Sequence, residues 1–169
     1  DGIDARLMGN IFHRAAQTIY TDIIHRNGGD RLITHERLAL FMADRQRGMD
    51  HHIDAAFKEE AEVTEFLGEN IIVRAVVQRY IRNLLRYDQS HTPFTIIDME
   101  RPYTMTLEIP YGEGTTTIRT GGYIDRIDLT DDGTVRIVDY KTGVRQNTSV
   151  SMDKMFSKGE HAGYYLQTL

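Results

Sequence analysis

Hydrophobic positions recur every three to four residues through the first half of the chain and every two residues through much of the second. Met8, Ile11, Phe12, Ala15, Ala16, Ile19 and Ile23 form one stripe and predict an amphipathic helix over residues 5–25. Thr34 is placed to cap a second helix reaching about Asp44, and a polar helix follows through Glu60. The strongest helical pattern spans 69–87, with Ile72, Val73, Val76, Val77, Tyr80, Ile81, Leu84 and Leu85 on one side. His91-Thr92-Pro93 then breaks the chain. Strands are expected around 94–100, 102–110, 116–129 and 134–141, and a last helix from near Met152 onward.

The stretch from Gly121 to Gly143 reads as a β-hairpin with charge in an apolar row. Tyr123, Asp125, Ile127 and Leu129 share one face of the first arm, and Val135, Ile137, Asp139 and Lys141 share one face of the second. Asp131-Asp132-Gly133 suits a three-residue loop with glycine in the left-handed position. That loop pairs Thr130 with Thr134, so Leu129 faces Val135, Ile127 faces Ile137 and Asp125 faces Asp139. Carboxylates about 5 Å apart repel by about 3 kcal/mol at an effective dielectric near 20. Lys141 offsets part of this. A divalent cation offsets more, because it binds both carboxylates at once, and oxygen donors suit magnesium, manganese or calcium.

A chain of 169 residues is enough for one domain with its own core. It starts at Asp1 and ends inside an apolar, helix-like stretch, and is therefore expected to be an excerpt of a longer protein. Residues 1–90 make a helical part and 91–169 a sheet with a following helix. No run of about 18 apolar residues is present. The absence of cysteine excludes disulfides and cysteine-held zinc or iron–sulfur clusters within this segment. A net charge of −5 leaves nucleic-acid binding to local basic patches.

Several residues then carry candidate chemistry. His13 lies at the margin of the first helical stripe, with Gly9 one turn earlier leaving room for close approach. Asp50-His51-His52-Ile53-Asp54 resembles a metal cluster in composition. Adjacent helical residues diverge by about 100°, so a solvated face is expected instead. Arg79, Arg82 and Arg86 form a stripe on the polar side of the 69–87 helix, either solvated or in contact with phosphates. Asp128, on the strand face opposite Asp125 and beside Arg126, reads as a surface ion pair.

Gly9 to His13 (GNIFH), Gly122 to Asp128 (GYIDRID) and Asp139 to Gly143 (DYKTG) occur in the order and spacing of a known pattern. With Gln167 opening a last element, the chain resembles the RecB/AddB-type nuclease domains of the PD-(D/E)XK superfamily. That resemblance implies an α/β (α+β) restriction-endonuclease-like core, a mixed β-sheet flanked by helices, with the last core elements lying beyond this segment. It implies metal-dependent hydrolysis of DNA phosphodiesters. His13, Asp125 and Asp139 would be metal ligands, joined by the Tyr140 backbone carbonyl, with Lys141 the catalytic lysine and Gln167 an accessory residue. The ion would be Mg2+ or Mn2+, and an imidazole ligand makes manganese at least as suitable. Some relatives carry an iron–sulfur cluster from flanking segments, about which this segment is silent.

The leading expectation is thus an intracellular, cytoplasmic nuclease, an exonuclease domain joined to a helicase-like domain or subunit, acting on single-stranded DNA or duplex ends. A non-catalytic DNA-binding or scaffolding module of the same fold is the main alternative. A calcium-stabilised structural hairpin explains the aspartates but not Lys141 or His13.

Overall fold

The computed structural model describes residues 3–142. The expected helix from Met152, Gln167 and Gly143 of the DYKTG stretch lie outside the described residues.

Four helices precede most of the sheet: α1 (Ala5–Arg26), α2 (His35–Ala43), α3 (Met49–Ala61) and α4 (Glu69–Ser90). Each matches an expected helix. The Asp4 carboxylate accepts from Leu7 N and the Thr34 hydroxyl from Arg37 N, satisfying amides that open α1 and α2. Gly48 precedes α3 where the chain doubles back tightly, since a Cβ there would lie 2.1 Å from the Asp44 carbonyl oxygen. The buried stripe of α1, from Ile11 to Ile23, packs with Ile53, Ala56 and Phe57 of α3 and with Val77, Ile81 and Leu85 of α4. The buried row of α4 is narrower than its apolar pattern, and Ile72 is exposed.

The 50–54 run is not a plain solvated face. His52 reaches Asp22 through Nε2 (2.9 Å) and Thr18 through Nδ1 (3.1 Å), tying α3 to α1. Asp54 accepts two bonds from Arg74 of α4, while Ile53 enters the core. Successive side chains diverge, as expected. They diverge onto neighbouring helices rather than into water.

The sheet runs β1 (Leu32–Ile33), β2 (Phe94–Tyr111), β3 (Gly114–Thr130), β4 (Val135–Val138) in that spatial order. Every described pairing is antiparallel. Ile33, Phe94 and Ile96 join the sheet to the helical core. The strands expected at 94–100 and 102–110 are one continuous strand. Pro102 does not divide it: among the described residues β1 pairs only with Phe94 and Thr95, which leaves β2 an edge strand at Pro102, where a missing N–H is tolerated. One extra residue in β2, between the Ile96↔Asp128 and Asp98↔Ile127 pairs, makes a β-bulge.

The β3–β4 hairpin has the expected loop and register: Gly133 is left-handed (φ 84°), and Leu129↔Val135 and Ile127↔Ile137 pair. Its burial is the reverse of the pattern. The expected apolar row is largely exposed (Tyr123 72%), whereas Arg126 and Asp128 on the other face are buried at 1% and 0%. The surface ion pair expected of Asp128 is therefore a buried one. Asp128 meets Arg126 and Arg136, and Arg126 also binds Asp88 of α4 through two bonds of 2.7 and 3.0 Å. Paired charges fill the place that apolar side chains would otherwise take.

Candidate metal centre

Three sequence-distant side chains meet where the N-terminal half of α1 approaches β2 and β3. His13 Nδ1 lies 3.2 Å from Glu100 Oε1 and 3.3 Å from Asp125 Oδ1. One donor atom from each of the three residues falls within 4.8 Å of the others. Gly9 permits this approach. A Cβ there would sit 3.3 Å from Thr142 Oγ1, so a larger residue would press on the chain just after the DYK stretch.

The bulge in β2 creates the group. Pairing resumes at Asp98↔Ile127 and runs on through Met99↔Arg126 and Arg101↔Ile124, so Glu100 falls opposite Asp125. Without the extra residue, Met99 would stand there. Glu100 also carries a positive φ of 49°, uncommon for a residue with a side chain.

Hydrogen-bond polarity fixes the protons on His13 in this arrangement. Nε2 lies 3.2 Å from the Tyr140 carbonyl, which can only accept, so Nε2–H donates. Nδ1 faces two carboxylates, and when these are ionised it too must donate. Burial alone lowers the imidazole pKa. Hydrogen bonds and charge from Asp125 and Glu100 outweigh it and raise the value from 6.5 to about 10. Asp125 is only 7% exposed and also accepts from the Tyr140 backbone N–H through Oδ2, leaving Oδ1 toward His13.

The profile of the PD-(D/E)XK nuclease superfamily matches residues 1–168. The chain belongs to the PD-(D/E)XK nuclease superfamily. Neither a comparison with curated proteins nor one with solved structures finds a match. The helical N-terminal half and the four-stranded sheet agree with that fold.

In this PD-(D/E)XK chain, His13 and Asp125 come together as the sequence suggests. Asp139 does not join them. The β3–β4 ladder ends at Arg126↔Val138, one position before the expected Asp125–Asp139 opposition. Beyond it the backbone leaves the strand, and Tyr140 N–H turns to Asp125. Asp139 instead accepts from Lys141 Nζ at 3.0 Å, with both side chains 56% exposed. The Tyr140 carbonyl stands at the cluster, where it accepts from His13. Arg79 and Arg86 are exposed and Arg82 is half-buried on α4.

Sequence reasoning missed Glu100. A period-two count through β2 without the bulge puts Met99 opposite Asp125, and the expected strand break at Pro102 hides Glu100 at a strand end. The available signal was a carboxylate within one residue of that count.

One imidazole nitrogen and two carboxylates form a mixed N/O donor set that suits a divalent metal ion and lacks the thiolates that select softer ions. The superfamily's divalent metals fit these residues.

Proposed function

We propose that this chain is a metal-dependent DNA nuclease domain of RecB/AddB type, working inside the cell as the exonuclease part of a helicase–nuclease-like repair or recombination protein. The convergence of His13, Glu100 and Asp125 carries the reading. The GYIDRID and DYKTG stretches and their spacing support it. Mg2+ or Mn2+ would be held by His13 and Asp125, with Glu100 beside them and Asp139 recruited from its nearby surface pair. Such an ion lowers the pKa of water, orients it and neutralises phosphate charge.

This chain's own groups supply the rest. Tyr140 N–H occupies one oxygen of Asp125 and so directs the other toward the cluster. The Tyr140 carbonyl, 3.2 Å from His13 Nε2, would join the residues that hold the ion. Lys141, once released from Asp139, would place an ammonium against the scissile phosphate and the attacking oxygen. Arg79, Arg82 and Arg86 would contact the phosphate backbone away from the reaction.

The test uses the full-length protein with single-stranded and duplex DNA in manganese or magnesium. Asp125→Asn and Lys141→Ala should each abolish cleavage, and cleavage that persists in both would place the activity elsewhere. A second reading, a non-catalytic DNA-binding module, is favoured by one observation: Asp139 and Lys141 pair with each other outside the cluster. Metal-independent DNA binding without cleavage in either ion would establish it.

A further inference from the structure

Tyr140 is held at three points. Its N–H donates to Asp125, its carbonyl accepts from His13 Nε2 at 3.2 Å, and its hydroxyl accepts from Arg126 Nη1 at 3.1 Å. Its ring also packs edge-on against His13 and Phe12, with centroids 5.6 and 5.5 Å away. The residue therefore touches two of the three cluster members through its backbone and a buried cation through its side chain.

That cation is held by carboxylates and aromatic rings. The Arg126 guanidinium forms two bonds to Asp88 and one to Asp128, and lies 4.8 Å from the Tyr20 ring centroid and 5.2 Å from that of Phe94. Tyr20, on α1, also donates its hydroxyl to Asp88. Arg126 and Asp125 are consecutive in β3 and point to opposite faces, so one strand position grips the Tyr140 side chain while the next grips its main chain. A planar guanidinium whose two terminal nitrogens are held by Asp88, Asp128 and Tyr140 is a rigid anchor.

We propose that Tyr140 is a positioning residue: anchored by Arg126, its side chain fixes its own carbonyl beside His13 at the metal centre. The proposal rests on the metal-centre reading above. Partners of this kind, one shell out from a metal, change its affinity when lost, commonly 10–100-fold. Losing the hydroxyl alone removes the anchor but leaves the carbonyl and ring, so the smaller end of that range applies.

The experiment measures Mn2+ affinity by calorimetry, with thermal melts alongside, on full-length wild type, Tyr140→Phe and Tyr20→Phe. Tyr140→Phe should weaken Mn2+ binding about tenfold and shift the manganese paramagnetic resonance spectrum. Tyr20→Phe removes the hydroxyl bond to Asp88 in the same buried network but leaves the Arg126–Tyr140 bond in place. It should lower the melting temperature yet bind Mn2+ as wild type does. Unchanged Mn2+ affinity in Tyr140→Phe would overturn the proposal while leaving the metal centre intact. Equal losses in both variants would overturn it too, by showing general loosening. Wild-type protein that binds no Mn2+ would remove the metal centre and the positioning role together.

Discussion

Glu100 stands opposite Asp125 because β2 contains one residue more than the strand it pairs with. The bulge turns an unremarkable ladder position into two facing carboxylates, and α1 brings His13 Nδ1 to both of them. The like-charge opposition expected between β3 and β4 thus occurs between β2 and β3. In the metal-free protein the His13 imidazolium offsets it.

Glu100 is expected to share the ion with Asp125. A ligand at 100 times its dissociation constant stabilises a protein by about 2.7 kcal/mol. Manganese should therefore raise the wild-type melting temperature, and Glu100→Gln and Asp125→Asn should each gain much less. Melts with and without metal at constant ionic strength check this. An equal gain in Glu100→Gln would remove Glu100 from the coordination.

Metal should replace a proton on His13. With its pKa raised from 6.5 to about 10, the imidazole is doubly protonated in the metal-free protein at neutral pH. Coordination requires the neutral ring, so binding near pH 8 should release about one proton. Calorimetry in buffers of different ionisation enthalpy reads that number, and His13→Gln should abolish it.

The same shift sets how metal-free stability depends on pH. Between pH 6.5 and about 10 the folded protein holds a proton that the unfolded chain has lost. The stabilisation is complete below 6.5, declines as the pH rises, and is gone above about 10. Urea titrations across that window should show a falling stability that His13→Gln flattens.

The buried charges on β3 should be costly to break. Arg126→Met would leave Asp88 and Asp128 buried without their shared cation. A loss of about 3–5 kcal/mol is expected, measured by equilibrium urea unfolding.

For the arginine stripe, charge-removing changes at Arg79, Arg82 and Arg86 should weaken DNA binding and make it less salt-sensitive. Each lost phosphate contact should lower the slope of log affinity against log salt by about 0.7–0.9. An unchanged slope would make the stripe a solvated face.

Helices and turns were legible because their signals are local. Asp4 and Thr34 cap the helices they precede, and Asp131-Asp132-Gly133 imposed the register through Ile127↔Ile137. The place of His13 beside the stripe suits a structural histidine equally well, and it stood out only through its match to the GNIFH, GYIDRID and DYKTG pattern. The rest depended on non-local facts. A bulge leaves no mark in a period-two count, so Glu100 was passed over. Burial of Arg126 and Asp128 depends on Asp88 and Tyr20 arriving from two helices, and no window along β3 contains them. The turn of Tyr140 N–H to Asp125, which ends the ladder before Asp139, is likewise decided by contacts across layers.

The ligands come from α1, β2 and β3, and this orders events during synthesis. Chains grow at about 5–20 residues per second, so His13 is made roughly 6–22 s before Asp125. During that interval α1 meets β1 early, through Ile33, and β2 with Glu100 only near its end. Its early support comes largely from α2, α3 and α4, through contacts such as His52 to Asp22 and Arg14 to Glu59. The helical layer is therefore fully synthesised before the cluster can exist, and a bound ion can reward only the step that brings the last ligand-bearing strand onto a helix already made.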